Sequence, residues 1–484
     1  MKKNGRVISS VVAGSLLYLA SCPGVVIGRD NIVIGRLSVI TNYNERTYDA
    51  LPPGEQDIVV RDEDRGDRRE IAVTPGITLI STGPTDQVEL TYEPSLVYDD
   101  LDSETNVDHA LSLVATKNLS PKWQVDLEEQ YILSDDPLRT REEATSSLAE
   151  NRQESREIRP VDEGGLTEQQ GRRRYWTNSL SLSTEYDYAE GSSVGVGYSY
   201  DVLRNEDDDA GYAEHDRHDY SVRLEHRLNS RWRGELEPHY IVGTVDDPVA
   251  DEDPTLASDD LTQVQVAAEV DFQPRTQDTY LARYRYLQTD YDDPAEEDSK
   301  IHGIRLGWEH DFSEHYHLLL SGGPSMVKLE NRSWDTDYNL YAELVRDFNR
   351  GHGSAVIYAE KGYDLDSFNG TDAGLTDFWR LGGTVNYQWT EAFSSEFYAS
   401  YRDNRRLEEP TDGTLATPIV VDDDFDYHEK FTELGMGFSY EFMRYYTLTI
   451  GYRFLQSDSD LVGEDYDEHR LFFELSLSKN LFRF

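Results

Sequence analysis

From about Asn31 onward, apolar and polar residues alternate with a period of two, in segments of ten to thirteen residues. Val88, Leu90, Tyr92 and Leu96 are interleaved with Gln87, Glu89, Thr91, Glu93 and Ser95. Val264, Val266, Ala268, Val270 and Phe272 alternate with Gln265, Glu269 and Asp271, and Tyr280, Ala282, Tyr284 and Tyr286 with Arg283 and Arg285. Near the end, Leu434, Met436, Phe438 and Tyr440 are answered by Tyr446, Leu448, Ile450, Tyr452 and Phe454. This alternation predicts strands with one apolar and one polar face. No helical periodicity of any length follows the first residues. Short connections such as 118–121, 189–193, 228–231, 273–277 and 312–315 alternate with longer polar ones at about 134–173, 205–216, 245–260, 290–300, 364–376, 404–426 and 457–467. The pattern describes an up-and-down meander.

Strand length decides between two all-β architectures. Soluble sandwiches use strands of about five or six residues, whereas ten to thirteen match a tilted crossing of a membrane. In hydrocarbon every backbone N–H and C=O must be paired, so a sheet there has to close on itself. The expected fold is therefore all-β: a transmembrane up-and-down antiparallel β-barrel over residues 31–484. About 20 strands are expected, with 18 the alternative count, and an even number puts both ends in the periplasm. Trp123 and Trp232 follow short connections, while Tyr98, Tyr131, Tyr200, Tyr240 and Tyr286 fall near strand ends, as aromatic girdles require. Trp123-x-x-Asp126-Leu127-Glu128-x-x-Tyr131 recurs as Trp232-x-x-Glu235-Leu236-Glu237-x-x-Tyr240. Pro94, Pro238 and Pro324 fall inside predicted strands, where bulges are expected. The last strand changes parity between Leu477 and Phe482, which predicts another bulge.

The beginning of the chain reads differently. Lys2, Lys3 and Arg6 precede the apolar stretch Val7 to Ala20, the pattern of an export signal over residues 1–21. It closes with Leu19-Ala20-Ser21-Cys22, and Cys22 is the one cysteine in the chain. The string resembles the lipobox of bacterial lipoproteins, which implies lipid attachment at Cys22; the alternative is a cysteine that happens to fall in an ordinary signal. Residues 22–30 read as a short periplasmic lead.

Composition then narrows the chemistry. The chain of 484 residues has 94 acidic and 46 basic side chains, a net charge of −48, and a mean hydropathy of −0.67. A barrel accommodates that hydropathy because half of each strand faces water. The charge argues against nucleic acid, which needs clustered Lys and Arg. The acidic excess sits in the long connections, as in Asp207, Asp208 and Asp209, Asp251, Glu252 and Asp253, and Asp422, Asp423 and Asp424. These read either as a solvated surface or as a mouth that concentrates cations. On the polar faces, Arg223, Glu225, Arg227, Glu269, Arg283, Arg285, Arg305, Glu309 and Arg453 are the pore-lining candidates. Phosphate-binding glycine loops, zinc-protease motifs and nucleophile elbows are not found, and Leu340 replaces the glycine that the Asp335-x-Asp337-x-Asn339 string would need as a calcium loop. No catalytic residues, cofactor or metal are expected.

Val73 through Pro137 carries a resemblance to a known family, including Val88-Glu-Leu-Thr-Tyr-Glu-Pro-Ser-Leu-Val-Tyr98, Asp108-His-Ala-Leu111 and Leu119-Ser-Pro-Lys-Trp123. The stretch resembles the β-barrel porin family, whose members include outer-membrane proteins found with exopolysaccharide export systems. The resemblance implies an outer-membrane barrel of a Gram-negative bacterium with no catalytic residues to carry over. The terminal Phe484 resembles the signal read by the barrel assembly machinery. Outer-membrane lipid, lipopolysaccharide, that machinery and periplasmic export components are the expected partners. The expected function is a channel passing small polar or cationic solutes by diffusion. An export-associated barrel is the alternative, and a barrel enzyme is the third reading.

Overall fold

A computed structural model of the chain describes residues 29–48, 66–100, 105–134, 174–205, 214–246, 260–292, 298–330, 332–348, 352–366, 374–406, 427–460 and 465–484. The first seven strands are β1 (Asp30–Tyr48), β2 (Gly66–Thr82), β3 (Asp86–Asp99), β4 (Thr105–Ser120), β5 (Trp123–Ser134), β6 (Tyr175–Ala189) and β7 (Ser192–Asn205). The next seven are β8 (Glu214–Arg227), β9 (Trp232–Asp246), β10 (Leu261–Arg275), β11 (Asp278–Tyr291), β12 (Ser299–Ser313), β13 (Tyr316–Leu329) and β14 (Asp335–Asp347). The last six are β15 (Gly353–Asp366), β16 (Gly374–Thr390), β17 (Phe393–Arg406), β18 (Tyr427–Phe442), β19 (Tyr446–Ser459) and β20 (Tyr466–Arg483).

Each strand pairs antiparallel with its neighbours in sequence, and β1 pairs with β20 over the run from Ile32↔Arg483 to Tyr48↔Tyr466. The sheet therefore has no edge. The expected count of 20 strands is the observed one. Connections of two to five residues follow the even-numbered strands, and those after the odd-numbered strands run from 5 to 40 residues. Both Asp30 and Arg483 lie at the short-connection end, where Arg483 Nη2 meets Asp30 Oδ2 at 2.6 Å.

Exposure separates the two faces. On β8, Tyr220, Val222 and Leu224 are 50, 44 and 40% exposed, while Arg217 and Asp219, of the opposite parity, are 7 and 6%. The polar parity is the inner one, because its side chains meet across strands that are not neighbours. Arg36 of β1 reaches Glu93 of β3 at 3.3 Å, and Arg305 of β12 reaches Glu360 of β15 at 3.8 Å. Only the concave face of a closed sheet brings such groups together. The outward apolar parity is bounded by two aromatic belts. Trp123 with Tyr186, Trp232 with Phe272, and Tyr387 with Trp389 mark the short-connection end. Tyr131 with Trp176, Tyr198 with Tyr220, and Trp379 with Tyr401 mark the other. The repeated Trp and Tyr of β5 and β9 are eight residues apart, about 26 Å along the strand, which at a tilt of about 40° falls just inside an apolar band of about 25 Å.

Three details depart from the sequence pattern. Most strands are longer than the ten to thirteen residues expected, up to 19 in β1, while β5 with 12 stays within that range; the ladder continues beyond the apolar belt where both faces are polar. The prolines are not bulges. Register is kept across Pro94, Pro238 and Pro324, and each loses pairing on one side only, since proline lacks an N–H while its other flank stays in the ladder. Pro94 stands opposite Pro75 in the gap between Val73↔Leu96 and Ile77↔Tyr92. The bulge expected near the end is present: Val33 faces Phe482 and Ile34 faces Asn480, leaving Leu481 unpaired.

Candidate functional site

The pore-lining candidates share the inward parity, eight of them on β8, β10, β11 and β12. Arg223 bonds Glu235 at 3.1 Å. Glu225 stands directly opposite Glu235, and Arg233 relieves that like-charge pair by reaching Glu225 at 3.5 Å and Asp271 at 2.7 Å. Arg227 lies at the base of the β8–β9 turn, opposite Arg233. Arg283 binds Glu269, and Arg285 faces inward between Ala267 and Gly303. Glu309 meets His317 at 3.6 Å. Arg453 is apart from the others, on β19, and is ion-paired with Glu433 at 2.8 Å.

Arg283 and Arg305 are directly cross-strand, as are Arg380 with Arg402 and Arg453 with Arg470. Like charges so placed repel, and the wall offsets this with carboxylates on the flanking strands (Glu269 for Arg283, Glu360 for Arg380, Glu433 for Arg453) and, for Arg305, with one from further round. Glu360 accepts from Arg380 at 2.8 Å and attracts Arg305 at 3.8 Å, tying β12 to β16. Tyr341 donates to Glu343 at 2.7 Å beside this network. On β8–β9, the imidazole of His239 lies 3.0 Å from Asp219 and 3.2 Å from Glu237. Parity alone could have marked Arg233, Arg380, Arg402 and Glu433 as inward; the partners Asp271 for Arg233, Glu360 for Arg380 and Arg453 for Glu433 follow from the register of neighbouring strands.

Two gradients run through the lumen. Toward the short-connection end the inward side chains are open to solvent, among them Arg36, Gln124, Glu128, Ser181, Ser183 and Glu185. Toward the other end they are buried all round, including Glu70, Asp99, Arg217, Gln265, Thr289 and Arg470. Around the circumference, the open half of β3, β5 and β6 presents Glu89, Glu93, Asp126, Glu128, Glu185 and Asp187. Among the described residues only Arg36 is ion-paired to this arc. The arc is a one-signed strip beside a balanced wall.

Lysine and arginine divide by face. Every lysine in the described strands (Lys117, Lys300, Lys328, Lys361, Lys430 and Lys479) has outward parity near a strand end. Lysine extends a point charge to the headgroups, whereas arginine's planar fork suits paired carboxylates inside.

Phe484 exchanges two backbone hydrogen bonds of 3.0 Å with Asn31, closing the seam. Cys22 and the acidic clusters at 207–209, 251–253 and 422–424 lie outside the described residues. Among the described residues no three potential metal ligands converge, and no helix is long and apolar enough to cross a membrane.

Comparison with solved structures finds matches at low identity. The siderophore receptor PirA from Pseudomonas aeruginosa is 11% identical, with a TM-score of 0.48 over 93% of this chain and 80% of that one. OpdQ of the same organism is 10% identical, with a TM-score of 0.45 over 92 and 98%. OccK2 (OpdF), solved in complex with glucuronate, is 12% identical, with a TM-score of 0.44 over 92 and 98%. No family model matches the chain, and no curated protein does.

Proposed function

We propose that the protein is an outer-membrane channel passing small polar or cationic solutes by diffusion. The observation that carries the reading is the closed ladder of 20 strands with a charged, partly hydrated inner face and an apolar outer band between aromatic belts. A closed sheet with a greasy exterior has hydrocarbon as its natural surroundings. A barrel of more than about 16 strands has room for water within. Short turns face the periplasm in such barrels and long connections face outward, which orients this one. Cation preference follows from the inner wall, where acids outnumber arginines and the β3–β6 arc lacks bases; a narrow, low-dielectric passage strengthens such a field. Phe484, fixed at the seam, is the proposed assembly signal.

The test is conductance of the purified protein in a planar bilayer. Discrete channels are expected, with a reversal potential under a KCl gradient on the cation-selective side. Absence of conductance in every condition would remove the channel reading, and anion selectivity would remove the cationic part.

A further inference from the structure

On the outer wall at the long-connection end, Lys300 of β12 stands directly opposite Lys328 of β13. Facing residues in a ladder have Cβ atoms about 5 Å apart, and like charges there are unfavourable. The arginine pairs inside the barrel have carboxylates; among the described residues neither of these ammonium groups does. The contrast with the other outward lysines at this end is direct: Lys361 meets Asp377 at 3.2 Å and Lys430 meets Asp458 at 3.8 Å. Outward acids do lie near: Asp298 and Glu330 extend the open end of the β12–β13 pair, and Asp290 on β11 is two residues from Gln288, which faces Lys300. The Asp298 carboxylate accepts the Tyr291 amide at 2.9 Å and the Asp290 carboxylate accepts Gln288 Nε2 at 2.8 Å, and neither is ion-paired to these lysines. In a chain with a net charge of −48, two neighbouring unpaired cations on the surface are unexpected.

Their surroundings say what would neutralise them. One position pair below, His302 faces Met326. Tyr284 Oη lies 2.9 Å from His302 Nδ1, and the Trp334 ring is 5.5 Å from the imidazole. A phenol donating to Nδ1 leaves Nε2–H as the free donor of the ring. The lysines thus sit immediately outside an aromatic belt, at the height of lipid headgroups. We propose that Lys300 and Lys328, with His302 beneath, bind a phosphate group of lipopolysaccharide in the outer leaflet. An oxyanion between the two Nζ atoms converts their repulsion into two charge-assisted hydrogen bonds. The site rests on the outer-membrane reading above, which supplies the leaflet.

The experiment uses the full-length protein in detergent, titrated with bisphosphorylated lipid A, with dephosphorylated lipid A and with phosphatidylglycerol. The parent is expected to prefer bisphosphorylated lipid A, and Lys300→Gln with Lys328→Gln to weaken binding roughly fivefold for each charge removed. Lys300→Arg with Lys328→Arg is expected to retain it, and heat-modifiable gel mobility reports that each variant is folded. Equal affinity of the folded glutamine variant, or of the parent for dephosphorylated lipid A, overturns the site; equal binding of phosphatidylglycerol overturns lipopolysaccharide as its ligand. A protein that fractionates with the outer membrane and conducts ions but ignores lipid A defeats this inference alone. One absent from that fraction defeats the reading beneath it.

Discussion

Glu129 is a carboxylate on the apolar parity of β5, set between Leu127 and Tyr131 and directly opposite Leu113 and Leu180. An acid facing hydrocarbon is costly near mid-depth and nearly neutral at the interface. Its place just below the upper belt puts Glu129 near the cheap end of that range. Glu129→Leu is expected to stabilise the barrel by up to about 1 kcal/mol, measured as a higher urea midpoint in micelles; a lower midpoint would place the side chain in a polar setting. At this scale much was readable. Period-two parity assigns Arg223, Arg283, Arg305 and Arg453 to the wet face. Parity does not say that Arg305 answers to Glu360, because that partner lies three strands away and is brought near only by curvature.

Strands show where an apolar pattern stops carrying information. Inside the hydrocarbon band the two faces differ, and the alternation is clear. Above it, as along Glu214 to Asp219 of β8, both faces are polar and the ladder continues without an apolar signal. Boundaries drawn from hydropathy therefore fall short of the paired ones. The prolines mislead for a related reason: loss of an N–H looks like an interruption, but each strand has two flanks and only one is lost. The seam between β1 and β20 yields a direct check. Ser38 faces Ser476, a separation of about 4.5–5.5 Å between Cα atoms that suits a disulfide. Ser38→Cys with Ser476→Cys, in a Cys22→Ser background, is expected to cross-link within one chain on oxidation and to change gel mobility after full denaturation. Cross-links only between chains would mean that the sheet does not close there.

For the molecule as a whole, the acid excess is the property most open to measurement. The arc containing Asp126, Glu128 and Glu185 lies in the open half of the lumen, so its charges act on passing ions through water. Screening shortens such fields to about 3 Å at 1 M salt and about 10 Å at 0.1 M. Cation preference is therefore expected to fall as salt rises. Asp126→Asn, Glu128→Gln and Glu185→Gln together are expected to reduce it at 0.1 M while leaving the barrel folded, as shown by reversal potentials alongside heat-modifiable mobility. An unchanged reversal potential would assign selectivity to another part of the lumen.

Alternation over long segments, a chain without helical periodicity and the recurrence of short and long connections were enough to define a tube of about 20 strands and its direction. Those are local properties: a side chain's face follows from parity, and the length of a strand's apolar stretch from the thickness it must cross. Register between neighbouring strands, which periodicity does not fix, decided that Glu269 faces Arg283, that Glu360 faces Arg380 and that Lys300 faces Lys328. Wrapping the sheet round decided the reach of Arg305 to Glu360 and of Arg36 to Glu93, and the burial of the inner face toward one end. Those depend on distances between strands that are not neighbours, and curvature sets them where periodicity has no say.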